Sequence, residues 1–266
     1  MEEACIIVER IVNEQIKKRE RFSLEWGGDP ETNISASWRA NVAAANCYEG
    51  SKEGVGFHSD QLTYLGPYPT IASLSLGTWL ILRGSLGIDL WKLGTQRIFS
   101  LREVVPNDQT AVRKARTFNI PLAHNSVCTF RIFISAMSMF MSHQLTIMHA
   151  SCQESFKHSI PPRAVIDLFR PAFPENPGGC IEPSDCRINI TFRFYRPDFR
   201  PPSIPRCKCG VPMILRADMK NRTGGNAERY WWTCYAGAQN EGKGCNFWKV
   251  LDMKTEGRGP CIGNRI

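Results

Sequence analysis

Apolar and polar side chains alternate along residues 185–193, with Ile188, Ile190 and Phe192 on one face and Arg187, Asn189, Thr191 and Arg193 on the other. A period of two predicts a half-buried β-strand. Its polar face holds two arginines, an asparagine and a threonine with no acidic side chain among them. A guanidinium grips a carboxylate in bidentate fashion, so this row suits a small anion held within a sheet; an ordinary exposed strand face is the other reading. Ile71-Ala-Ser-Leu-Ser-Leu-Gly77 alternates in the same way and predicts a second strand. Residues 38–48 are small and apolar and predict a buried strand ending at the Glu49-Gly50 turn. Helical spacing from Glu3 to Arg21 predicts one short helix, which Gly27-Gly-Asp-Pro30 breaks.

Metal-type ligands enter at His58-Ser-Asp60 and again at Lys157-His158-Ser159. Two histidines and one carboxylate that leave coordination positions open form the facial triad of non-haem Fe(II) oxygenases. His-x-Asp, a distant His, then Arg-x-Asn-x-Thr-x-Arg resembles the AlkB family of Fe(II)/2-oxoglutarate dioxygenases, over roughly residues 38–197. The resemblance implies a mainly β, double-stranded β-helix (jelly-roll) core and oxidative dealkylation of N-alkylated bases in DNA or RNA. It implies that His58, Asp60 and His158 hold Fe(II) and act in catalysis. His158 is preferred to His143 and His149 for its His-Ser-x-Pro setting. Arg187 would pair with the distal carboxylate of 2-oxoglutarate, helped by Tyr48 and Asn189, while Arg193 and Asn46 would bind the end near the metal. Tyr64, in the loop Gln61-Leu-Thr-Tyr-Leu-Gly-Pro-Tyr68, would stack on the substrate base; a turn packed by its own aromatics is the alternative.

Two stretches depart from the family pattern. Residues 79–94 intervene between the strand ending at Gly77 and Gln96-Arg-Ile-Phe-Ser-Leu-Arg-Glu103, and Leu76-Gly-Thr78 recurs as Leu93-Gly-Thr95 at their far end. Residues 128–145 separate Asn125-Ser-Val127 from Thr146-Ile-Met-His149. Both are apolar and poor in turn residues, unlike surface loops. They read either as translated non-coding sequence or as true insertions, and they interrupt strands that would surround the metal.

Past residue 199 the pattern changes. Residues 200–206 are rich in proline and predict a linker. Cys207, Cys209, Cys234 and Cys245 then offer four thiolates, the ligand count of a structural zinc site. Cys-x-Cys-Gly, Arg229-Tyr-Trp-Trp-Thr-Cys234 and Gly244-Cys-Asn-Phe-Trp248 together resemble a GRF-type zinc finger, with Glu228 where that family has glycine. The domains expected are therefore a dioxygenase at 1–199, the linker, the finger at 207–252 and a tail at 253–266. Arg229 and Trp231 are candidates to contact nucleic acid, cations tracking phosphates and ring faces stacking on bases. Phe247 and Trp248 read as core, and Cys261 as spare.

A net charge of +8 and a pI near 9.0 agree with a polyanionic partner. No apolar run approaches the ~18 residues that span a bilayer, so no membrane partner is expected. Eleven cysteines without a secretory opening indicate thiols that are reduced or metal-bound and an intracellular setting, the nucleus being expected and the cytoplasm the alternative. The short N-terminal region leaves little room for a nucleotide-recognition lid, so the chain reads as a fragment. The competing functions are a non-catalytic nucleic-acid binder whose oxygenase core is disrupted, and a dioxygenase acting on RNA or protein. Oligomeric state is not legible.

Overall fold

The computed structural model describes residues 2–28, 36–76, 79–83, 89–93, 97–122, 128–130, 145–163, 187–222, 228–239 and 245–264. Helix α1 (Glu2–Ile16) buries Val8, Val12 and Ile16, one stripe at four-residue spacing. It stops short of Arg21 because Arg19 and Arg21 turn instead onto the buried carboxylate of Glu25. The strands of the first region follow in order. They are β1 (Val42–Tyr48), β2 (Val55–His58), β3 (Ile71–Leu76), β4 (Trp79–Arg83), β5 (Asp89–Leu93), β6 (Arg97–Glu103) and β7 (Thr117–Leu122). Then come β8 (Cys128–Phe130), β9 (Leu145–Met148), the single turn α2 (Cys152–Ser155), β10 (Phe156–Ile160) and β11 (Arg187–Arg193). Beyond these lie β12 (Met213–Ala217), β13 (Tyr230–Cys234), the short α3 (Ala236–Gln239) and β14 (Trp248–Val250).

The architecture is mainly β. One sheet has the order β1-β11-β3-β9-β8, and a second the order β2-β10-β6-β7. Strand β11 lies between β1 and β3, and this corrects the half-buried expectation. Ile190 and Phe192 pack with Val8, Val12 and Ile16 of α1, while Arg187, Asn189 and Thr191 on the opposite face are also buried. Only Ile188, 42% exposed, escapes cover among the apolar positions. The polar row is thus enclosed, which excludes the exposed-face reading. Strand β1, expected to be buried, is instead a sheet edge with Ala43, Ala45 and Asn46 exposed.

The described strands of the extra segment at 79–94 stand outside both of these sheets. They are β4 and β5, which pair with each other from Trp79↔Leu93 to Arg83↔Asp89. A hairpin satisfies its own backbone groups. It therefore leaves β3 free to pair with β11 and β9, and β6 with β10 and β7. In the second segment β8 runs parallel to β9 at the sheet edge. Residues 131–144 and His124, with His143 among the former, lie outside the described residues. The strands these segments were expected to interrupt are in place.

The last three strands form a sheet of order β12-β13-β14. It is packed against the preceding sheets rather than tethered to them. Met213, Leu215, Tyr230 and Trp232 join one apolar cluster with Leu62, Leu65, Ile71, Phe99 and Leu101. The Tyr230 hydroxyl donates to the buried carboxylate of Glu154 at 3.0 Å, and Leu215 N–H donates to Thr63 Oγ1 at 3.1 Å. The expected linker is ordered as two short turns, Pro197–Phe199 and Pro201–Ser203, with Ile204 buried behind them. The tail is no free end either. Cys261 bridges Trp26, Ile262 N–H donates to Glu25 O at 2.9 Å, and Arg258 stacks between Phe199 and Trp232. Cys47 is disulfide-bonded, which corrects at that position the expectation of reduced or metal-bound thiols. Among the described residues no helix is long and apolar enough to cross a membrane.

Candidate active site

Strands β2 and β10 pair in antiparallel fashion with His58 directly opposite His158. Asp60 lies two residues past His58, and its backbone N–H is held by Gln153 Oε1 at 2.8 Å. This brings together three side chains from distant parts of the chain. The Asp60 Oδ1 atom is 3.5 Å from His158 Nε2 and 3.9 Å from His58 Nε2, and one ligand atom from each residue lies within 4.8 Å of the others. His58 Nδ1 is 2.8 Å from Gly56 O, which turns Nε2 toward Asp60. The donor set, two imidazoles and one carboxylate, suits Fe(II) with positions left for other ligands. His149 is buried elsewhere and takes no part in the cluster.

Burial alone would raise the Asp60 carboxyl. The hydrogen bond from His158 and the positive charge of Arg193 outweigh it and hold the group well below the usual carboxylate range. His58 is shifted down, by burial first and then by the like charge of His158. Both shifts favour what a metal needs, an ionised carboxylate and a neutral imidazole.

The enclosed row on β11 reaches the same site. Arg193 donates to Asp60 Oδ2 at 2.8 Å. Tyr48 is the cross-strand neighbour of Arg187, and Asn46 that of Asn189. Arg187, 2% exposed, donates from Nη2 to Ser75 Oγ, but its Nη1 is buried with no hydrogen-bond partner. Burial pushes this arginine down to about 10 even with Tyr48 beside it, and the neighbouring Arg97 adds to the shift. A buried cation with an unused donor pair fits the distal carboxylate of 2-oxoglutarate. Asn189 is more committed. Its Oδ1 accepts from Ser73 at 2.8 Å and its Nδ2 donates to Thr191 Oγ1 at 3.1 Å. Replacing Arg187 with lysine keeps the charge but loses the fork. The half-saturating 2-oxoglutarate concentration for succinate formation is expected to rise about tenfold or more. An unchanged half-saturation point would return the row to a purely structural role.

Over Asp60 opens a cavity of about 310 Å³, lined by Gln61, Gln153, Ile214, Arg216, Met219 and Tyr235 among others. Tyr64 is not on this wall. It packs on Tyr195 with ring centroids 5.3 Å apart, and its loop is buried between the oxygenase and the last sheet. Tyr68 of that loop stacks on Phe22 at 4.3 Å and meets Tyr230 edge-on at 6.0 Å. The loop therefore meets the cavity through Gln61 and Leu62, while Tyr64 is partly buried against Tyr195. The aromatic that does reach the cavity is Tyr235, 38% exposed; its only signal in the sequence was its place directly after Cys234.

The four expected thiols are also gathered, with Sγ atoms 3.3 Å apart for Cys207 and Cys245 and 3.5 Å for Cys209 and Cys234. Tetrahedral zinc at its usual Zn–S length sets thiolates about 3.8 Å apart, so the set fits zinc closely. On the outer face of this sheet Trp231 pairs with Arg216 across the strands, lies under the Arg229 guanidinium at 4.4 Å, and meets Trp248 edge-on at 5.1 Å. Trp248, expected in the core, is 55% exposed. Strand β14 is an edge, and Trp248 pairs with Thr233 on the sheet face opposite that of Leu215 and Trp232.

Residues 1–132 match the model of the 2OG-Fe(II) oxygenase superfamily. That stretch contains His58 and Asp60; His158 and the β11 arginines lie beyond it and join the site through the sheet pairings. No curated protein matches the chain. The family match and the assembled triad together identify a catalytic Fe(II)/2-oxoglutarate dioxygenase active site.

Proposed function

We propose that this 2OG-Fe(II) oxygenase domain, with the four-cysteine finger packed on it, oxidatively dealkylates N-alkylated bases in DNA or RNA. The observation that carries the reading is that the finger supplies part of the wall of the cavity over Asp60. Ile214, Arg216 and Tyr235 line it, and Arg216 continues across the sheet to Trp231. A face of aromatic rings and guanidinium groups running up to an oxygenase cavity suits an unpaired strand, with phosphates on the cations and bases on the rings. A base must leave its stack to enter such a cavity, which is easiest in single strands.

Bound at the triad, Fe(II) with 2-oxoglutarate and O2 supplies the oxidising power to hydroxylate an N-alkyl carbon, and the hemiaminal so formed releases formaldehyde. The chain's own residues do the positioning. Arg187 holds the distal carboxylate of 2-oxoglutarate through its free Nη1 hydrogens, with Tyr48 and Asn189 beside it. Arg193 and Asn46 serve the end near the metal, and Arg193 also keeps Asp60 ionised. Tyr235 takes the stacking part that the sequence pattern assigned to Tyr64.

Titrating the whole, zinc-loaded protein with single strands at several salt concentrations tests this reading. Trp231→Ala is expected to weaken binding by roughly 1–3 kcal/mol with little change in salt dependence. Arg229→Ala is expected to flatten the slope by about the worth of one phosphate. Equal affinity for duplex, or binding that survives complete zinc removal, would contradict the reading.

A further inference from the structure

A second concavity adjoins the cavity over Asp60. It is a groove of about 840 Å³ between the outer side of the β2-β10-β6-β7 sheet and the stretch that follows β12, and it shares Ala217 and Met219 with the smaller cavity. We propose, resting on the nucleic-acid reading above, that this groove binds the phosphate backbone of the strand flanking the target base.

The groove carries unbalanced positive charge. Arg102, Lys114, Lys157 and Lys220 all line the groove, and no ion pair among the described residues engages any of them. Two acids also line the groove and do not offset these cations, since Glu103 is already ion-paired and Asp218 is one negative charge against four positive ones. Glu103 is held by Arg113 at 2.7 and 2.8 Å, with Arg116 behind at 3.2 Å, and the Asp218 carboxylate accepts from the Asn221 side chain at 2.9 Å. Two of the cations are also placed against their own interest. Arg102 on β6 and Lys157 on β10 are direct cross-strand partners, and like charges so placed destabilise a sheet unless an anion lies between them. Both are exposed, so the anion must come from outside the fold. Phe57 lies beneath the Arg102 guanidinium at 3.9 Å and holds it over the groove.

Position selects the ligand. A small free anion would need only one pair of cations, whereas these four spread along a groove that adjoins the cavity over Asp60. Oxygenase strands supply Arg102 and Lys157, and the finger supplies Lys220. Asn107 N–H donates to Lys220 O at 2.8 Å, which ties the two walls together. A polyphosphate chain with one end in the cavity satisfies all of this.

The test is the salt dependence of binding of an unmodified single-stranded oligonucleotide to the full chain. Each phosphate contact on a single strand contributes about 0.7 to the slope of log affinity against log salt. Converting Arg102, Lys114, Lys157 and Lys220 to glutamine together should lower the slope by roughly 3, and each single variant by about 0.7. Unchanged zinc content and melting temperature would establish that the variants fold. A slope equal to wild type, while Trp231→Ala still weakens binding, overturns the groove and leaves the nucleic-acid reading standing. Absence of strand binding by the wild-type chain overturns both. Tighter binding of polyglutamate than of the oligonucleotide also overturns the groove as a phosphate track.

Discussion

Asp60→Ala is expected to abolish 2-oxoglutarate turnover while leaving the fold in place. Asp60 is the only anionic member of the triad, and its carboxylate lies within 4 Å of both imidazoles and 2.8 Å from Arg193. Removing it leaves two neutral nitrogens to hold a dication. Losing a partner that merely orients a ligand costs metal affinity about 10–100-fold, so losing a ligand should exceed that. Arg193 loses its counter-charge, but its side chain is 20% exposed and can turn toward water. The melting temperature should therefore fall by only a few degrees. Succinate formation measured with added Fe(II) checks the result. Turnover at the wild-type level would remove Asp60 from the metal centre.

The second large effect is expected at the zinc cluster. Cys207 and Cys209 precede β12, Cys234 ends β13 and Cys245 precedes β14, so one ion would tie together the ends of three strands. Binding of a structural zinc is worth about 10–16 kcal/mol in small fingers, comparable to the whole stability of an ordinary domain. Cys209→Ser, or chelation, should open this sheet and expose Trp232, which is 0% exposed and whose Nε1 donates to Glu256 at 3.1 Å. A red shift of tryptophan emission that follows loss of zinc is the expected signature. Because Ile214, Arg216 and Tyr235 wall the cavity, activity on a nucleic acid should fall with it. A protein that keeps both its emission and its strand binding after complete zinc loss would show that the cluster is incidental.

The metal centre was legible because its chemistry is local. His58 and Asp60 sit two residues apart, and His158 sits in a short motif of its own. What no spacing could supply was that β2 pairs with β10 so that the two histidines face each other. Alternation along β11 separated the polar from the apolar residues correctly. Period alone does not say whether a second layer covers the polar face, and here one does. The placing of Trp248 in the core failed for the same reason: Tyr64, Tyr235 and Trp248 differ little in composition of neighbourhood, and only packing decides that the first is partly covered while the other two meet solvent. The docking of the finger was illegible for a further reason. It depends on single long-range contacts such as Tyr230 to Glu154 and Cys261 to Trp26. A run of prolines at 200–206 suggests a tether, yet here residues 201–203 form an exposed turn with Ile204 buried behind it.

The central claim is that the triad, the buried arginine row and the finger wall make one site acting on alkylated nucleic acid. The most direct measurement incubates the whole protein with Fe(II), 2-oxoglutarate, O2 and a single strand bearing N-methylated bases, and follows formaldehyde and succinate together. Formaldehyde in step with succinate, restored unmodified bases, and neither product from Asp60→Ala are expected. Succinate formed at the same rate with and without the methylated strand, and no formaldehyde, would contradict it.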